Sequence, residues 1–275
     1  MGILKKTILC NSNDTKINQI EVYAPQLAKK TNPGQFVVVM VKEEGERIPL
    51  TVVDEDLEKG SITLIFQEIG FSTKLLGEFG VGDTLYAILG PLGHATEIKN
   101  YGKVILVGGG VGIAEIYPVA GGLKEAGNNI TAVIGARTKD FLFLENELQK
   151  ASSQLLIATD DGSYGRCGFT TQILEELLSQ DKYDFVYAVG PIPMMKRAAL
   201  ITKNFGIKTM VSLNALMVDA TGMCGCCRVS VGDEVKFACI DGPEFDAHIV
   251  DWDELGRRNS VYIDKERHIC NLDKL

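Results

Sequence analysis

The chain has 275 residues, of which 45% are hydrophobic and 23% are charged, and it contains 29 glycines and 8 prolines. This length suits about two domains with a short appendage, and the composition excludes a disordered or fibrous chain. The net charge of -8 and the lack of a basic block exclude nucleic acid as a main partner, because binding to a phosphate backbone requires clustered Lys and Arg.

The distribution of apolar residues predicts a soluble, cytoplasmic protein with no membrane partner. The first dozen residues turn polar early and lack the apolar core and small-residue cleavage site of a signal peptide. Apolar runs such as residues 36–41 have the length of a strand, well short of the roughly 20 residues that cross a bilayer. In a reducing compartment the seven cysteines indicate metal or redox chemistry rather than a disulfide framework.

The first hundred residues alternate β-branched runs with turn residues, a spacing that predicts an antiparallel sheet or small barrel. The predicted strands are 17–23, 36–41, 50–53, 61–66 and 84–89. After the fourth strand, Gly70, Ser72 and Thr73 open a short helical pattern that runs to Phe79. Backbone N–H groups and hydroxyls at such a helix start can bind phosphate, but a plain N-cap has the same sequence pattern.

From Lys103 onward strands alternate with helices, the order that builds a parallel sheet covered by helices. The predicted strands are 104–107, 130–134, 155–159, 185–189 and 208–213, and the predicted helices are 112–125, 170–178 and 194–205. The last sixty residues depart from this order, with a cysteine cluster, two short strands at 228–231 and 235–239, and a polar tail. These changes predict three units with the bounds 1–98, 99–215 and 216–275.

A glycine run at residues 108–112 follows a buried strand and enters a helix. In this setting glycines let the backbone approach a pyrophosphate and expose it to the helix dipole, which predicts a dinucleotide ligand. The run does not match the usual Rossmann fingerprint, because Ile113 stands at the third glycine position. A tight strand-to-helix turn without a ligand is the alternative interpretation.

The cysteine cluster reproduces the plant-type 2Fe-2S spacing C-x4-C-x2-C…C, with an aspartate in the first place. The candidate metal ligands are Asp219, Cys224, Cys227 and Cys239. Gly222 and Gly225 favour a tight loop on which several ligands converge, and thiolate sulfur suits iron in a cluster. Zinc bound by three cysteines and the aspartate, or by a set that includes Cys226, is the rival metal.

The other cysteines and the histidines are scattered, and we expect no catalytic role for them. Cys10, Cys167, Cys226 and Cys270 are interpreted as unligated thiols. His94, His248 and His268 are interpreted as structural or surface residues. No candidate nucleophile or acid-base pair stands out, so chemistry beyond electron transfer is not expected.

The glycine run continues with a hydrophobic residue, Ala and then Glu115 where a proline is usual, and in this it resembles the ferredoxin-NADP reductase superfamily. The segments RIPLT, GFST, GPLG and GPIPMM carry the same resemblance, at residues 47–51, 70–73, 90–93 and 190–195. The resemblance spans about residues 1–215. It implies a FAD-binding antiparallel barrel and a parallel-sheet nicotinamide nucleotide-binding domain, with the flavin ring in the crevice between them.

The resemblance assigns FAD contacts to the barrel. Arg47 would neutralise phosphate, residues 49–51 would border the flavin and its ribityl chain, and the segment from Gly70 would complete the pyrophosphate site. The implied FAD contacts are Arg47, Pro49, Leu50, Thr51, Ile65, Phe66, Gly70, Ser72 and Thr73. Leu50 stands where plant-type reductases carry an aromatic residue, so the resemblance does not imply ring stacking on the flavin there.

The resemblance also assigns contacts with a nicotinamide nucleotide. Those implied for the pyrophosphate are Gly108, Gly109, Gly110 and Gly112, and those implied for the approach to the nicotinamide are Gly190, Pro191 and Met194. Asp160 and Asp161 stand where NADP-selective relatives carry basic residues, and two carboxylates would repel a 2′-phosphate. We therefore expect NAD(H) rather than NADP(H), with Arg137 and Glu115 as counter-indications. An acidic loop without a ligand is the alternative interpretation.

The C-terminal cluster behind a flavin and nicotinamide module resembles the electron-transfer subunit of dihydroorotate dehydrogenase B, in which four cysteines are expected. Asp219, the stretch 223–228 and the tail at 241–246 and 248–255 resemble another family more closely. That family is the small subunit of NADH-dependent reduced ferredoxin:NADP oxidoreductase, also described as a sulfide dehydrogenase subunit. With this addition the resemblance covers nearly the whole chain and implies a small C-terminal iron-sulfur module.

These resemblances imply an electron-transfer subunit that moves electrons between NAD(H), FAD and a 2Fe-2S cluster, since a flavin accepts two electrons and can release them singly. They imply a heterodimer with a larger flavin and iron-sulfur subunit that reacts with NADP(H) and ferredoxin. Flavin-based electron bifurcation is one mode by which such a complex couples NADH, NADPH and ferredoxin. One alternative is the electron-transfer subunit of a dihydroorotate dehydrogenase. Another, from a different class, is a nucleotide-binding regulator with a structural zinc site.

Overall fold

The N-terminal part of the chain is an antiparallel barrel. The computed structural model describes residues 1–12 and 15–265. Six strands are hydrogen-bonded in the order β1-β2-β5-β4-β3-β6, namely β1 (Ile3–Ser12), β2 (Thr15–Tyr23), β3 (Phe36–Met40), β4 (Arg47–Asp56), β5 (Ser61–Gln67) and β6 (Ala87–Leu92). Ile3 N donates to Asp83 O at 2.9 Å, and Leu85 N donates to Met1 O at 3.0 Å. These bonds bring β1 against the segment that leads into β6, so the sheet curls into a barrel.

Apolar side chains fill this barrel. Ile20, Leu64 and Phe66 are at most 1% exposed, and burial of each such side chain contributes about 1.5–3 kcal/mol. Two short helices, α1 (Pro25–Ala28) and α2 (Phe71–Glu78), follow β2 and β5. Helix α2 therefore begins at the segment where a phosphate site is predicted.

The second part of the chain is a parallel sheet with helices on both faces. Its strands run in the order β10-β9-β8-β7-β11-β12, namely β7 (Lys103–Gly109), β8 (Asn129–Ala136), β9 (Gln154–Thr159), β10 (Arg166–Cys167), β11 (Phe185–Val189) and β12 (Thr209–Ser212). The helices are α3 (Ile113–Glu125) and α4 (Glu145–Ala151) on one face, and α5 (Thr170–Gln180) and α6 (Ile192–Phe205) on the other. Ile105 and Leu106 are neighbours on β7 and point to opposite faces of the sheet. Both are 0% exposed, as expected for a sheet that is covered by helices on both faces.

The C-terminal part of the chain packs against the second sheet. Its elements are the hairpin β13 (Arg228–Val231) and β14 (Glu234–Phe237), the strand β15 (Glu244–Asp246), which pairs antiparallel with β12, and the helix α7 (Trp252–Asn259). Asp251 caps α7, because its carboxylate accepts hydrogen bonds from Asp253 N at 3.1 Å and Glu254 N at 2.8 Å. Phe245 and Leu255 belong to the same apolar cluster as residues of β11 and α6, which fixes this part to the sheet.

The predicted fold class is confirmed, but several elements differ from the sequence-based expectation. β1, β10, β15, α1, α4 and α7 were not predicted, and the last barrel strand lies at Ala87–Leu92 rather than at 84–89. In β1, Lys5 and Lys6 interrupt the apolar alternation that identifies a strand. β15 is only three residues long, and it is a strand because β12 provides an edge to pair with. The unit bounds 1–98, 99–215 and 216–275 stay a prediction.

Within the described ranges, no helix is long and apolar enough to span a membrane. Cys270 and His268 lie outside the described residues. All six cysteines within the described ranges are free thiols.

Candidate functional site

Two of the four candidate metal ligands lie side by side in the interior. Cys227 and Cys239 are 2% and 1% exposed, and their Sγ atoms are 3.2 Å apart. A disulfide bond has a length of about 2.05 Å, so both residues are thiols. Two buried thiols in contact fit a pair of ligands that share one metal atom.

The candidate cysteine ligands differ in acidity. Burial, together with the neighbouring Cys227, raises the pKa of Cys239 to about 12. Such a thiol becomes a thiolate only beside strong positive charge, which a coordinated metal supplies. Cys224 is exposed, and hydrogen bonds from the backbone of Cys226 and of Asp219 lower its pKa.

The placement of the donors bears on both candidate metals, iron and zinc. Within residues 1–12 and 15–265, no group of three or more His, Cys, Asp and Glu side chains is arranged to hold a single metal ion. A structural zinc site requires four ligands around one atom, whereas a 2Fe-2S cluster distributes its four ligands over two iron atoms. Two paired thiols can serve either arrangement, so the C-x4-C-x2-C…C spacing remains the basis for preferring the cluster.

The candidate ligand loop, residues 219–227, has a backbone that favours glycine. Gly222 and Gly225 have φ angles of +83° and +68°, a region that costs other residues roughly 1–2 kcal/mol. A Cβ at Gly222 would lie 2.7 Å from Ile240 Cδ1. Ala220 is in the same region with a φ of +62°. The chain thus turns repeatedly within the loop, as predicted from its two glycines.

Helix α7 holds the candidate ligand loop from outside, a contact that sequence reasoning missed. Arg258 Nη2 donates to Cys226 O at 3.1 Å. Asn259 accepts from Leu216 N at 3.0 Å through Oδ1 and donates to Asn214 O at 2.6 Å through Nδ2. The helix is therefore bonded to the loop itself and to the segment of chain that enters it.

The candidate FAD and metal sites meet at the start of β4. Arg47 Nη1 donates to Asp219 O at 3.1 Å and forms an ion pair with the Asp219 carboxylate. The same carboxylate accepts hydrogen bonds from the hydroxyl and the N–H of Thr221. The Thr221 hydroxyl and, less strongly, the charge of Arg47 lower the pKa of Asp219. The arginine assigned to phosphate thus contacts the aspartate assigned to the cluster.

The start of α2 lies next to the start of β4, as a shared phosphate site requires. The Ser72 hydroxyl donates to the carboxylate of Glu46, which precedes Arg47 in the chain. Thr73 Oγ1 accepts from Gly70 N at 3.1 Å, so this hydroxyl caps the helix as the alternative interpretation predicts. A Cβ at Gly70 would meet no atom within 4 Å. The surface beside this glycine is therefore open to a ligand.

The remaining FAD candidates differ in exposure. Pro49, Leu50 and Thr51 on β4 are half-buried and retain accessible surface. Ile65 and Phe66 on β5 are 4% and 1% exposed and belong to the apolar cores. Their side chains are occupied in packing, so any contact of these two residues with a cofactor would involve the backbone.

The two glycine segments of the second sheet pack against each other at the carboxyl ends of β7 and β11. A Cβ at Gly109 would lie 2.5 Å from Met194 Sδ, and a Cβ at Gly190 would lie 2.7 Å from Met194 Cε. Gly108 and Gly112 likewise lack room for a Cβ, and Gly110 has a φ of +56°. These glycines satisfy the tight-turn interpretation, and Pro191 begins the turn into α6. They also lie at the sheet edge where dinucleotides bind in such folds.

The two aspartates that follow β9, Asp160 and Asp161, differ in their contacts. The Asp161 carboxylate accepts hydrogen bonds from Ser163 N at 3.0 Å and Ser163 Oγ at 2.6 Å, so it stabilises a local turn. Burial raises the pKa of Asp160, while the nearby Arg137 acts in the opposite direction. Asp161 therefore matches the acidic-loop alternative, and Asp160 is the better candidate for contact with a ribose.

A chain of polar side chains connects the barrel to the second sheet. Thr51 Oγ1 donates to Glu115 Oε2 at 3.3 Å, and Tyr187 Oη lies 3.2 Å from Glu115 Oε1 and 2.8 Å from Glu244 Oε1. Thr96 donates to the same oxygen of Glu244. Burial raises the pKa of Glu115 to about 7. Sequence reasoning noted Glu115 as a replaced proline and as a counter-indication to NAD(H), and it missed Tyr187 and Glu244.

Comparison with known proteins identifies similar sequences. Family profiles match residues 106–199 as an oxidoreductase NAD-binding domain and residues 214–251 as the iron-sulfur cluster binding domain of dihydroorotate dehydrogenase B. A dihydroorotate dehydrogenase B (NAD(+)) electron transfer subunit homolog from Thermotoga maritima is 50% identical over 246 residues, 90% of this chain and 87% of that protein. The dihydroorotate dehydrogenase B (NAD(+)) electron transfer subunit from Geobacillus thermodenitrificans is 36% identical over 230 residues, 80% and 87% of the two chains.

Comparison of structures identifies a similar chain in NADH-dependent reduced ferredoxin-NADP oxidoreductase, a structure described for its insights into flavin-based electron bifurcation. The TM-score is 0.93 with 44% sequence identity, and the match covers 100% of this chain and 98% of the other. Together with the family profiles, this match confirms the ferredoxin-reductase-like fold and the predicted nicotinamide-binding and iron-sulfur assignments.

Proposed function

Since the chain belongs to the family of dihydroorotate dehydrogenase B electron transfer subunits and their homologues, we propose that it moves electrons between NAD(H), FAD and a 2Fe-2S cluster. It acts in a complex that couples NADH, NADPH and ferredoxin by flavin-based electron bifurcation. The proposed partner is a larger flavin and iron-sulfur subunit that binds NADP(H), and ferredoxin reacts through the complex. The match over the whole chain to NADH-dependent reduced ferredoxin-NADP oxidoreductase supports this assignment.

The contact between Arg47 and Asp219 is the observation that carries the proposal. It joins a residue assigned to the FAD phosphates to a residue assigned to the cluster, two positions that are 172 residues apart in the sequence. Electron transfer from a flavin to a cluster requires the two cofactors to be close, and this contact brings their candidate sites side by side.

The residues of this chain would hold the cofactors. FAD, when bound, supplies the exchange of a hydride with NAD(H) and the release of single electrons. Arg47 and the start of α2 would bind its phosphates, and Thr51 would border the flavin. Cys227 and Cys239 supply buried thiolates, and Asp219 with Cys224 completes the cluster ligands on the exposed side.

A second candidate is the electron transfer subunit of a dihydroorotate dehydrogenase. The descriptions of the two sequence relatives favour it, but Asp219 stands where that family is expected to have a cysteine. The partner distinguishes the candidates, because the first requires an NADPH-binding flavoprotein and the second a subunit that binds dihydroorotate.

The function is tested by anaerobic purification of the chain with its native partner, followed by a visible spectrum and analysis of iron, zinc and flavin. We expect flavin and iron, bleaching of the flavin absorbance by NADH, and copurification of an NADPH-binding flavoprotein. A dihydroorotate-binding partner would instead establish the second candidate. Zinc without iron or flavin would overturn both and support a nucleotide-binding regulator.

The fourth cluster ligand gives a spectroscopic prediction. We expect Asp219→Ala to change the EPR signal of the reduced cluster, because it removes a hard oxygen from an otherwise sulfur-ligated iron. Cys226→Ser is the matched control and should leave the signal as it is in the unmodified protein. The opposite pattern would assign the fourth ligand to Cys226.

The nucleotide preference gives a second prediction. Asp160→Asn should improve binding of NADP⁺ relative to NAD⁺ by about fivefold, because it removes roughly 1 kcal/mol of repulsion from a 2′-phosphate. Asp161→Asn is the control, since its carboxylate serves the turn at Ser163. Dissociation constants measured by calorimetry would check both variants. An unchanged ratio in Asp160→Asn would remove this residue from the ribose site.

A further inference from the structure

Five side chains from separate parts of the chain form one hydrogen-bonded row of oxygen atoms. In spatial order they are Thr51 on β4, Glu115 on α3, Tyr187 on β11, Glu244 on β15 and Thr96 before β7. We call this row the carboxyl network. Its distances are 3.3 Å from Thr51 to Glu115, 3.2 Å from Glu115 to Tyr187 and 2.8 Å from Tyr187 to Glu244.

The carboxyl network is buried and lies between the two candidate nucleotide sites. Tyr187 is 0% exposed and Glu115 is 9% exposed. One end is Thr51, which the proposed function places beside the flavin. Glu115 lies in the first turn of α3, directly after the glycine run assigned to the nicotinamide nucleotide. The proposed electron-transfer path uses neither carboxyl group.

The hydrogen count of the carboxyl network leaves a place for one additional proton. Its four oxygen-to-oxygen contacts each require a hydrogen, but the hydroxyls of Thr51, Tyr187 and Thr96 supply only three. The single Tyr187 hydrogen serves the shorter contact, to Glu244. The contact with Glu115 is then a hydrogen bond only if the Glu115 carboxyl is protonated and donates to the phenol oxygen.

The surroundings of Glu115 favour the protonated form. Burial is the main cause that raises its pKa, and the charge of Glu244 acts in the same direction. The hydroxyls of Ser212, Tyr187 and Thr51 face it from β12, β11 and β4 and partly offset this effect. None of these groups is a cation, so two carboxylates cannot both remain ionised here without a large cost.

We propose that Glu115 is a positioning residue that holds one exchangeable proton and thereby sets the direction of the Thr51 hydroxyl toward the flavin. This inference rests on the proposed function, because it needs FAD beside Thr51. A Glu115 carboxylate accepts the Thr51 hydrogen, which would leave the lone pairs of Thr51 to face a bound flavin. A protonated Glu115 accepts more weakly, and the Thr51 hydroxyl is free to donate to the flavin instead.

The proton at Glu115 is linked to the charge beside Thr51. The hydride from NADH brings two electrons and one proton, and this additional negative charge favours protonation of the carboxyl network. The network takes its proton from solvent and returns it when the two electrons leave. Because the cluster accepts electrons only, the proton of the hydride is released to solvent when the flavin is reoxidised.

The test is the flavin midpoint potential of the holoenzyme measured between pH 6 and pH 9. For a two-electron couple, each additional proton bound on reduction steepens the dependence by about 30 mV per pH unit. We expect this additional slope near neutral pH in the unmodified protein and its loss in Glu115→Gln, which keeps the shape of the side chain. Glu125→Gln, an exposed change on the same helix, should retain the slope.

The outcomes separate this inference from the proposed function. A protein without bound flavin would overturn the proposed function itself. If flavin is bound and reduced by NADH, but the slope in Glu115→Gln equals that of the unmodified protein and of Glu125→Gln, only the role of Glu115 is overturned. A purely structural effect of Glu115→Gln would displace the potential equally at every pH and would also contradict the inference. An infrared band of a protonated carboxyl that changes on reduction and disappears in Glu115→Gln would support it independently.

Discussion

Cys239→Ser is expected to remove the iron-sulfur cluster. The serine hydroxyl is a hard donor with a high pKa, and it would replace a buried sulfur that lies 3.2 Å from Cys227 Sγ. Loss of partners outside the ligand shell already lowers metal affinity by about 10- to 100-fold, so loss of a ligand should weaken binding further and leave the purified protein with little iron. Iron per chain and the visible absorbance of the anaerobically purified protein measure this effect.

Cys167→Ser is the matched control for this change. Cys167 is exposed on β10 and lies outside the candidate ligand loop, so its replacement should leave the iron content unchanged. Flavin content should stay near that of the unmodified protein in both variants, because neither cysteine lies in the candidate FAD site. Full iron content in Cys239→Ser would exclude this residue as a ligand and overturn the predicted ligand set.

The parts of the site that could be predicted from sequence are those encoded in short segments. The cysteine spacing with Gly222 and Gly225 lies within one loop, and the glycine run at residues 108–112 lies between one strand and one helix. In both cases the residue types and the local backbone are enough to indicate the chemistry. The same holds for the parallel sheet, whose strands and helices alternate regularly.

The parts that could not be predicted depend on which elements become neighbours. Arg47 and Asp219 are 172 residues apart, and Tyr187 is 72 residues from Glu115 and 57 from Glu244. Glu244 reaches Tyr187 because the short strand β15 adds to the edge of the second sheet next to β12. No local sequence pattern predicts such a short edge strand, so the carboxyl network could not be predicted. The contacts of α7 with the ligand loop likewise join residues that are far apart in the sequence.

Glu115→Gln is expected to change how the stability of the protein depends on pH. Burial raises the pKa of Glu115 from an ordinary value of 4.5 to about 7. Between these values the folded state binds more protons than the unfolded state, so the free energy of unfolding falls as pH rises through this window. At 1.36 kcal/mol per pH unit, the unmodified protein should lose about 3 kcal/mol that Glu115→Gln does not lose.

The difference between the two proteins isolates this effect from all other titrations. Unfolding temperatures of the holoproteins should therefore diverge by several degrees between pH 5 and pH 8. As pH rises, the unfolding temperature of Glu115→Gln should increase relative to that of the unmodified protein. Glu125→Gln should follow the unmodified protein at every pH, because Glu125 is exposed. A constant difference between Glu115→Gln and the unmodified protein would mean that Glu115 does not titrate in this range, which would contradict the raised pKa.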